Sequence, residues 1–244
     1  MTKSNRISKL FKVISEFLLI SISMVGYVPK NATIARTITI FLSILFAIFI
    51  SIYYPYNKDF AILYFLISEV FYVGFLMIVL SKNGLRHWFI RKWGNEHAGY
   101  LTYEAILGFL FFHNLISIGY IASSSPGNLF QFIGKEFLLV TVSIMFISGF
   151  AIKILAAKAV SIEIYYLKDM FLGKKISEFV KTGPYKYISN PMYGIGQVQA
   201  YATAIWYGSE YGLVAAIINQ VLVFTFYYLF EKKFIKRVYL KTGN

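Results

Sequence analysis

Long apolar runs almost free of charge constrain this chain most. Six are plain: about Ile34–Tyr54, Phe60–Leu80, Tyr100–Ala122, Glu136–Ala157, Tyr193–Tyr207 and Tyr211–Phe230. A bilayer span takes about 20 predominantly apolar residues, so most of these runs can cross a membrane as helices. Hydrophobic residues make up 58% of the 244 and charged residues only 14%, with a mean hydropathy of +0.62. A soluble domain carries nearer a quarter charged residues, and a disordered chain needs the opposite balance. The composition therefore excludes both and leaves little room for a separate soluble domain.

The expected fold is all-α: a polytopic transmembrane helical bundle of six spans, with the last two as a helical hairpin closed by Gly208, Ser209 and Glu210. The count rises to seven if the first segment crosses. Val13–Val28 is apolar but short and carries Glu16, while Ile7, Leu10, Phe11, Ile14 and Leu18 recur at helical spacing. That pattern suits an amphipathic helix lying in the interface.

Lys and Arg number 24 against 11 Asp and Glu, a net charge of +13. In a soluble protein this would point to nucleic acid; in a membrane protein it reports the cytoplasmic loops, which collect Lys and Arg. With six spans and both termini inside, Lys58 and Lys135 alone among the 24 cations fall outside. If the first segment crosses, Lys3, Arg6, Lys9 and Lys12 move outside as well, so six spans fit better. Asn31-Ala32-Thr33 is a glycosylation triplet that this topology places inside, unused. Cysteine is absent, which removes disulfides and thiol chemistry. His87, His97 and His113 have no metal-ligand spacing, and no metal or nucleic-acid partner is expected.

Polar chemistry concentrates in three places. Gly183–Gly196 holds Pro184 and Pro191, Tyr185, Tyr187 and Tyr193, Asn190, and Gly194. Pro191 suits the first turn of a helix with Asn190 as its N-cap, and Gly194 and Gly196 permit a close neighbour. Glu231 stands where the last span ends, and a carboxylate is disfavoured at a helix C-terminus. It requires either a salt bridge to a following lysine or a function. The third group, Glu163 to Asp169, sets carboxylates beside Tyr165 and Tyr166, whose faces attract sulfonium or alkylammonium groups. Glu69, Glu104 and His113 lie within spans, where ionisable groups suggest function, an ion path included. Yet the last two spans have no ionisable residue before Glu231, so no relay of charges crosses the membrane.

The stretch Gly183–Gly196 resembles the phospholipid methyltransferase and isoprenylcysteine carboxyl methyltransferase superfamily, whose pattern is G-P-Y-x-Y-x-R-H-P-x-Y-x-G followed by a hairpin and a Glu-Glu pair. Gly183, Pro184, Tyr185, Tyr187, Pro191 and Tyr193 match in register. Ser189-Asn190 replaces Arg-His, the glycine falls at Gly196, and the Glu-Glu pair is Phe230-Glu231. These departures look more like the phosphatidylethanolamine methyltransferase branch, with its closing pattern at Glu231, Lys232, Arg237 and Tyr239. The resemblance covers about Lys158–Tyr239. It divides the chain into an N-terminal membrane region, 1–157, and a methyltransferase-like region, 158–244.

The resemblance implies an S-adenosylmethionine-dependent enzyme that methylates the amine of a membrane lipid such as phosphatidylethanolamine. It implies a cofactor site at Tyr185, Asn190, Pro191, Tyr193, Gly194, Gly196 and Glu231, with catalytic roles for Asn190, Glu231 and Asp169. Asn190 takes the place of the family histidine and can hydrogen-bond but not titrate. The proton shed by the amine could pass to Asp169, Glu163 or Glu231. The implied location is an integral, multi-pass protein with its site facing the cytoplasm, in the endoplasmic reticulum of a eukaryote or the inner membrane of a prokaryote. Alternatives are carboxyl methylation of a prenylated cysteine, a nicotinamide-dependent sterol reductase (whose N-Y-x-G-E pattern is missing its glutamate here), and a non-enzymatic membrane protein or transporter.

Overall fold

The computed structural model describes residues 3–130 and 132–240. Lys241, counted above among the inner cations, lies outside them. The described residues form helices and no strand, in the order α1 (Lys3–Met24), α2 (Ile34–Tyr53), α3 (Lys58–Leu80), α4 (Arg86–Lys92), α5 (Glu96–Ser124), α6 (Lys135–Val160), α7 (Ile162–Tyr165), α8 (Lys168–Leu172), α9 (Val198–Trp206), α10 (Glu210–Phe226) and α11 (Lys232–Ile235). Side-chain oxygens of Thr33, Asn57, Asn95 and Ser209 accept a backbone N–H at the starts of α2, α3, α5 and α10, satisfying donors that a helix start leaves open.

Five helical stretches are long and apolar enough to cross a membrane: Ile34–Tyr53, Lys58–Leu80, Glu96–Ser124, Lys135–Val160 and Glu210–Leu240. They match five of the six apolar runs, and the chain is an integral membrane protein. The run Tyr193–Tyr207 differs from expectation. Only the nine residues of α9 are α-helical there, about 14 Å at 1.5 Å per residue, against a hydrocarbon core of about 30 Å. Hydropathy counts side chains, whereas the backbone before α9 departs from the helix: Gly194 takes ψ −108°. The boundary drawn at 157 falls inside α6.

A second correction concerns the last helix. It does not end at Phe230; α10 runs through a π-helical turn, Tyr227–Glu231, into α11 and a further π turn, Lys236–Leu240. Glu231 is thus mid-helix, and the helix-end argument for its oddity does not apply.

The bundle packs α3 on α5, α6 on α9, and α10 on α5, α9 and α3. Small residues let the backbones close up: a Cβ on Gly149 of α6 would lie 2.9 Å from the Gln199 nitrogen, and one on Gly212 of α10 would lie 2.7 Å from Ala122 Cβ of α5. The largest buried cluster joins Tyr100, Tyr103, Phe89, Tyr166, Met170, Phe171, Phe226 and Phe234. It ties α4, α5, α8 and the last helix together at one end of the bundle, the end that carries the site. By contrast α2 leaves Ile38, Phe41, Leu42, Leu45, Ile48, Phe49 and Ile52 exposed, a surface suited to lipid tails.

The ionisable groups within the helices form separate clusters. Glu104 accepts from Arg36 Nη1 at 3.0 Å, Asn31 Nδ2 at 2.7 Å and the Tyr100 hydroxyl at 3.1 Å. The amide of Asn31, part of the glycosylation triplet, is therefore engaged. Glu69 accepts from Asn219 at 2.5 Å, and Asn219 also donates to Asn114. His113 sits between Tyr64 and Ser43.

Candidate active site

Beyond α6 the chain turns twice in left-handed backbone. Ser161 has φ 78° and Leu167 φ 56°, conformations disfavoured for side-chain-bearing residues. These two turns bracket α7 and carry α8 back under the last helix. Ser161 also caps α7 through its side chain. Arg86, the first residue of α4, donates to the Met170 carbonyl at 3.0 Å and lies against Gly173, where a Cβ would come within 2.5 Å of the guanidinium. The short α8 is thus held from both ends, and its Asp169 is fixed.

Asp169 is buried, 5% exposed. Its Oδ1 accepts from the Met170 N–H at 2.8 Å and its Oδ2 from the Tyr239 hydroxyl at 2.9 Å. Burial pushes its carboxyl above the ordinary range, against the hydrogen bonds, which favour the charged form. Glu163 is different. It pairs with Lys30 at 2.9 Å and Lys168 at 3.2 Å, and the Lys30 hydrogen bond holds it below the usual carboxylate range.

Asn190 accepts the Tyr193 N–H at 3.2 Å through its side chain. It caps as expected, but what it caps is a turn followed by a 3₁₀ segment, Ile195–Gln197, and α9 begins only at Val198. The Tyr193 carbonyl accepts from Gln220 Nε2 at 3.2 Å, and Gln220 in turn accepts from the Tyr201 hydroxyl. Tyr193 is thereby aimed at the last helix, where its hydroxyl donates to Glu231 Oε2 at 2.9 Å. No lysine lies within ion-pair distance of Glu231 among the described residues, so a tyrosine replaces the expected salt bridge. The π turn presents Tyr227 and Glu231 together, a local departure frequent at functional sites. Phe230, in place of the first glutamate of the family pair, stacks on Phe226 at 5.7 Å and belongs to the core.

Between these elements lies a cavity of about 620 Å³, within the range of small-molecule sites. Tyr185, Asn190, Tyr193, Glu231 and Asp169 all stand on its wall. Pro191, Gly194 and Gly196 do not. Pro191 and Gly196 are buried behind the wall, and a Cβ on Gly196 would lie 2.8 Å from Lys153 Cγ. Glu163 also lies off the wall, engaged in its ion pairs.

Several wall residues lie outside the cofactor and catalytic set that the resemblance implies: Tyr165, Tyr227, Phe234, Tyr239, Lys181 and Lys236. Tyr239 and Tyr165 had a signal, the closing pattern and the aromatic group, but only the fold shows that they face one space. Lys153 lies in the run Glu136–Ala157 and is counted among the inner cations. It is buried in α6, 6% exposed, and its ammonium donates to Gln197 Oε1 at 3.3 Å behind Tyr193.

The wall therefore combines Asp169 and Glu231, each bound by a tyrosine, and Glu178, paired with Lys175, with aromatic faces and four lysines, Lys181, Lys186, Lys232 and Lys236. Carboxylates suit amino and ribose hydroxyl groups, lysines a carboxylate, and aromatic faces a sulfonium. This donor set fits S-adenosylmethionine. No curated protein and no solved structure matches the chain. The phospholipid methyltransferase family is one of membrane methyltransferases, whose members generally use S-adenosylmethionine. Its model matches residues 138–242, the stretch from the first turn of α6 through the whole cavity wall, so the resemblance stands for this part of the chain.

Proposed function

We propose that the chain is an S-adenosylmethionine-dependent N-methyltransferase acting on the amine of a membrane phospholipid such as phosphatidylethanolamine. One observation carries the reading: Glu231 and Asp169 face the same cavity, each fixed by one tyrosine hydroxyl. Asp169 and Glu231 beside aromatic faces can each hold a cationic group, and donor sulfonium and acceptor ammonium are both cationic.

When bound, S-adenosylmethionine supplies an activated methyl group, and the protein's work is binding, orientation and proton handling. Glu231 and Tyr193 would hold its amino or ribose groups, and Lys181 or Lys236 its carboxylate. Asn190 keeps the turn that aims Tyr193, a positioning role consistent with a side chain that cannot titrate. Asp169 is the proton acceptor for the incoming ammonium, because Glu163 is engaged elsewhere and Glu231 is assigned to the donor. Tyr165, Tyr185 and Tyr227 supply faces for the alkylated ammonium that forms. The positive-inside distribution supports a cytoplasmic opening.

The test is transfer of labelled methyl from S-adenosylmethionine in lipid nanodiscs, with phosphatidylethanolamine and a prenylated cysteine offered separately. Methylated phosphatidylethanolamine is expected, suppressed in Tyr193→Ala. A folded wild type that binds no cofactor and methylates no lipid would sink the proposal, and methylation of the prenylcysteine alone would transfer it to the runner-up.

A further inference from the structure

A second cavity, about 320 Å³, opens between α2 and α5 and shares no wall residue with the first. Its two ends differ in chemistry. Arg36, Tyr27 and Glu104 stand at one end; Ile40, Ile106 and Phe109 form the other. The linker after α1 is pinned at its mouth, where Gly26, with φ +110°, meets Gly108 so closely that a Cβ would lie 2.4 Å from the carbonyl oxygen. The outer wall is α2, whose remaining surface is exposed and apolar.

We propose that this cleft binds one anionic phospholipid that is not a methyl acceptor, with its phosphate on Arg36 and an acyl chain along Ile40, Ile106 and Phe109. A guanidinium has five N–H donors in a fork that matches phosphate oxygens. Arg36 spends one nitrogen on Glu104 and another on the Leu101 carbonyl, and its remaining donors have no acceptor among the described residues. Glu104 is 1% exposed and filled by Asn31, Arg36 and Tyr100. Already paired with Arg36 and almost wholly buried, it gives a ligand ammonium little to bind, so a zwitterionic headgroup gains little over an anionic one. The neighbouring ion pairs, Lys30 and Lys168 on Glu163, add one further positive charge in excess. The apolar end and the lipid-facing outer helix select a lipid rather than free phosphate.

Native mass spectrometry of the full chain in detergent tests this, with dioctanoyl phosphatidylglycerol, dioctanoyl phosphatidylcholine and inorganic phosphate as probes. The wild type should retain one phosphatidylglycerol, with an affinity about tenfold or more above that for phosphatidylcholine, and no phosphate. Ala105→Trp, on the α5 wall of the cleft, fills its space with an indole and should abolish retention, whereas Glu231→Gln, in the other cavity, should keep it. Should Ala105→Trp fail to fold, Ile40→Trp on the opposite wall carries the same expectation. Retention unchanged by the filling variant, equal retention of phosphatidylcholine, or binding of phosphate alone would overturn the proposal.

Discussion

Glu104 and Glu69 in the N-terminal helices, and Glu231 and Asp169 around the C-terminal cavity, are all acids largely withdrawn from water, yet they are partnered in different ways. Glu104 is closed off by a cation, an amide and a phenol. Glu69 faces two buried amides, Asn219 and, through it, Asn114. Both stand away from the larger cavity. Glu231 and Asp169 each receive one tyrosine hydroxyl and stand on the wall of a space large enough for a cofactor. The N-terminal pattern joins helices; the C-terminal one fixes a carboxylate while leaving it able to meet a ligand. Ionisable residues within spans suggest function by default, and partner saturation is what separates the two kinds here.

Breaking the N-terminal pattern should produce the largest change. Glu104→Ala leaves Arg36 beside a cavity without its counter-charge, a change that costs about 3–5 kcal/mol for a buried pair. Thermal unfolding in detergent should show it, and surviving folded protein should keep its methyl transfer. Breaking the C-terminal pattern should do the reverse. Glu231→Gln preserves volume and one acceptor for Tyr193, so unfolding should move little, while transfer should fall about 100-fold, the scale for losing one preorganised electrostatic contact. A Glu231→Gln variant that unfolds early but transfers normally would erase the distinction. Asn219→Ala removes the donor between Glu69 and Asn114 and should cost about 1–2 kcal/mol, typical of an interhelical hydrogen bond in a membrane. The expected effect on transfer is small, because the partners of Asn219, Glu69 and Asn114, lie off the wall of the larger cavity.

Much of this contrast was open to a reader of the sequence, but unevenly. Four apolar runs became α2, α3, α5 and α6 nearly residue for residue, because burial in lipid and helix formation demand the same composition. The run before Tyr207 departs from this because Gly194 and Gly196 follow Pro191, and Gly196 lies so near Lys153 that a Cβ would come within 2.8 Å of its Cγ, an approach that no local pattern encodes. Glu231 was singled out for a helix end that does not exist. What marks it is Tyr193, 38 residues away in sequence and brought near only by the fold. Phe230 and Lys153 show the same limit: the one looked like a damaged motif and packs on the core, the other looked like an inner cation and is buried behind the site.

The smallest expected effect separates Asp169 from Glu163 by the sign of their pH dependence. Burial raises the carboxyl of Asp169 above its ordinary 3.8. Folded protein then holds a proton that unfolded protein has released, so stability falls as pH rises from that value through the raised one. Glu163 is lowered from 4.5 by the Lys30 hydrogen bond; its contribution is present above 4.5 and fades as pH falls through the lowered value. Being partly exposed, it should count for little. Unfolding midpoints measured across acid pH in detergent should therefore tilt in opposite directions on substitution. Asp169→Asn removes a slope that falls with pH, and Glu163→Gln removes one that rises. Transfer adds a second reading of Asp169: as a proton acceptor it must be ionised, so wild-type activity should climb as pH passes its raised value. Asp169→Asn should abolish that climb, whereas Glu163→Gln should leave it in place. Equal tilts, or a climb that survives in Asp169→Asn, would show that Asp169 is held as a structural acid like Glu104.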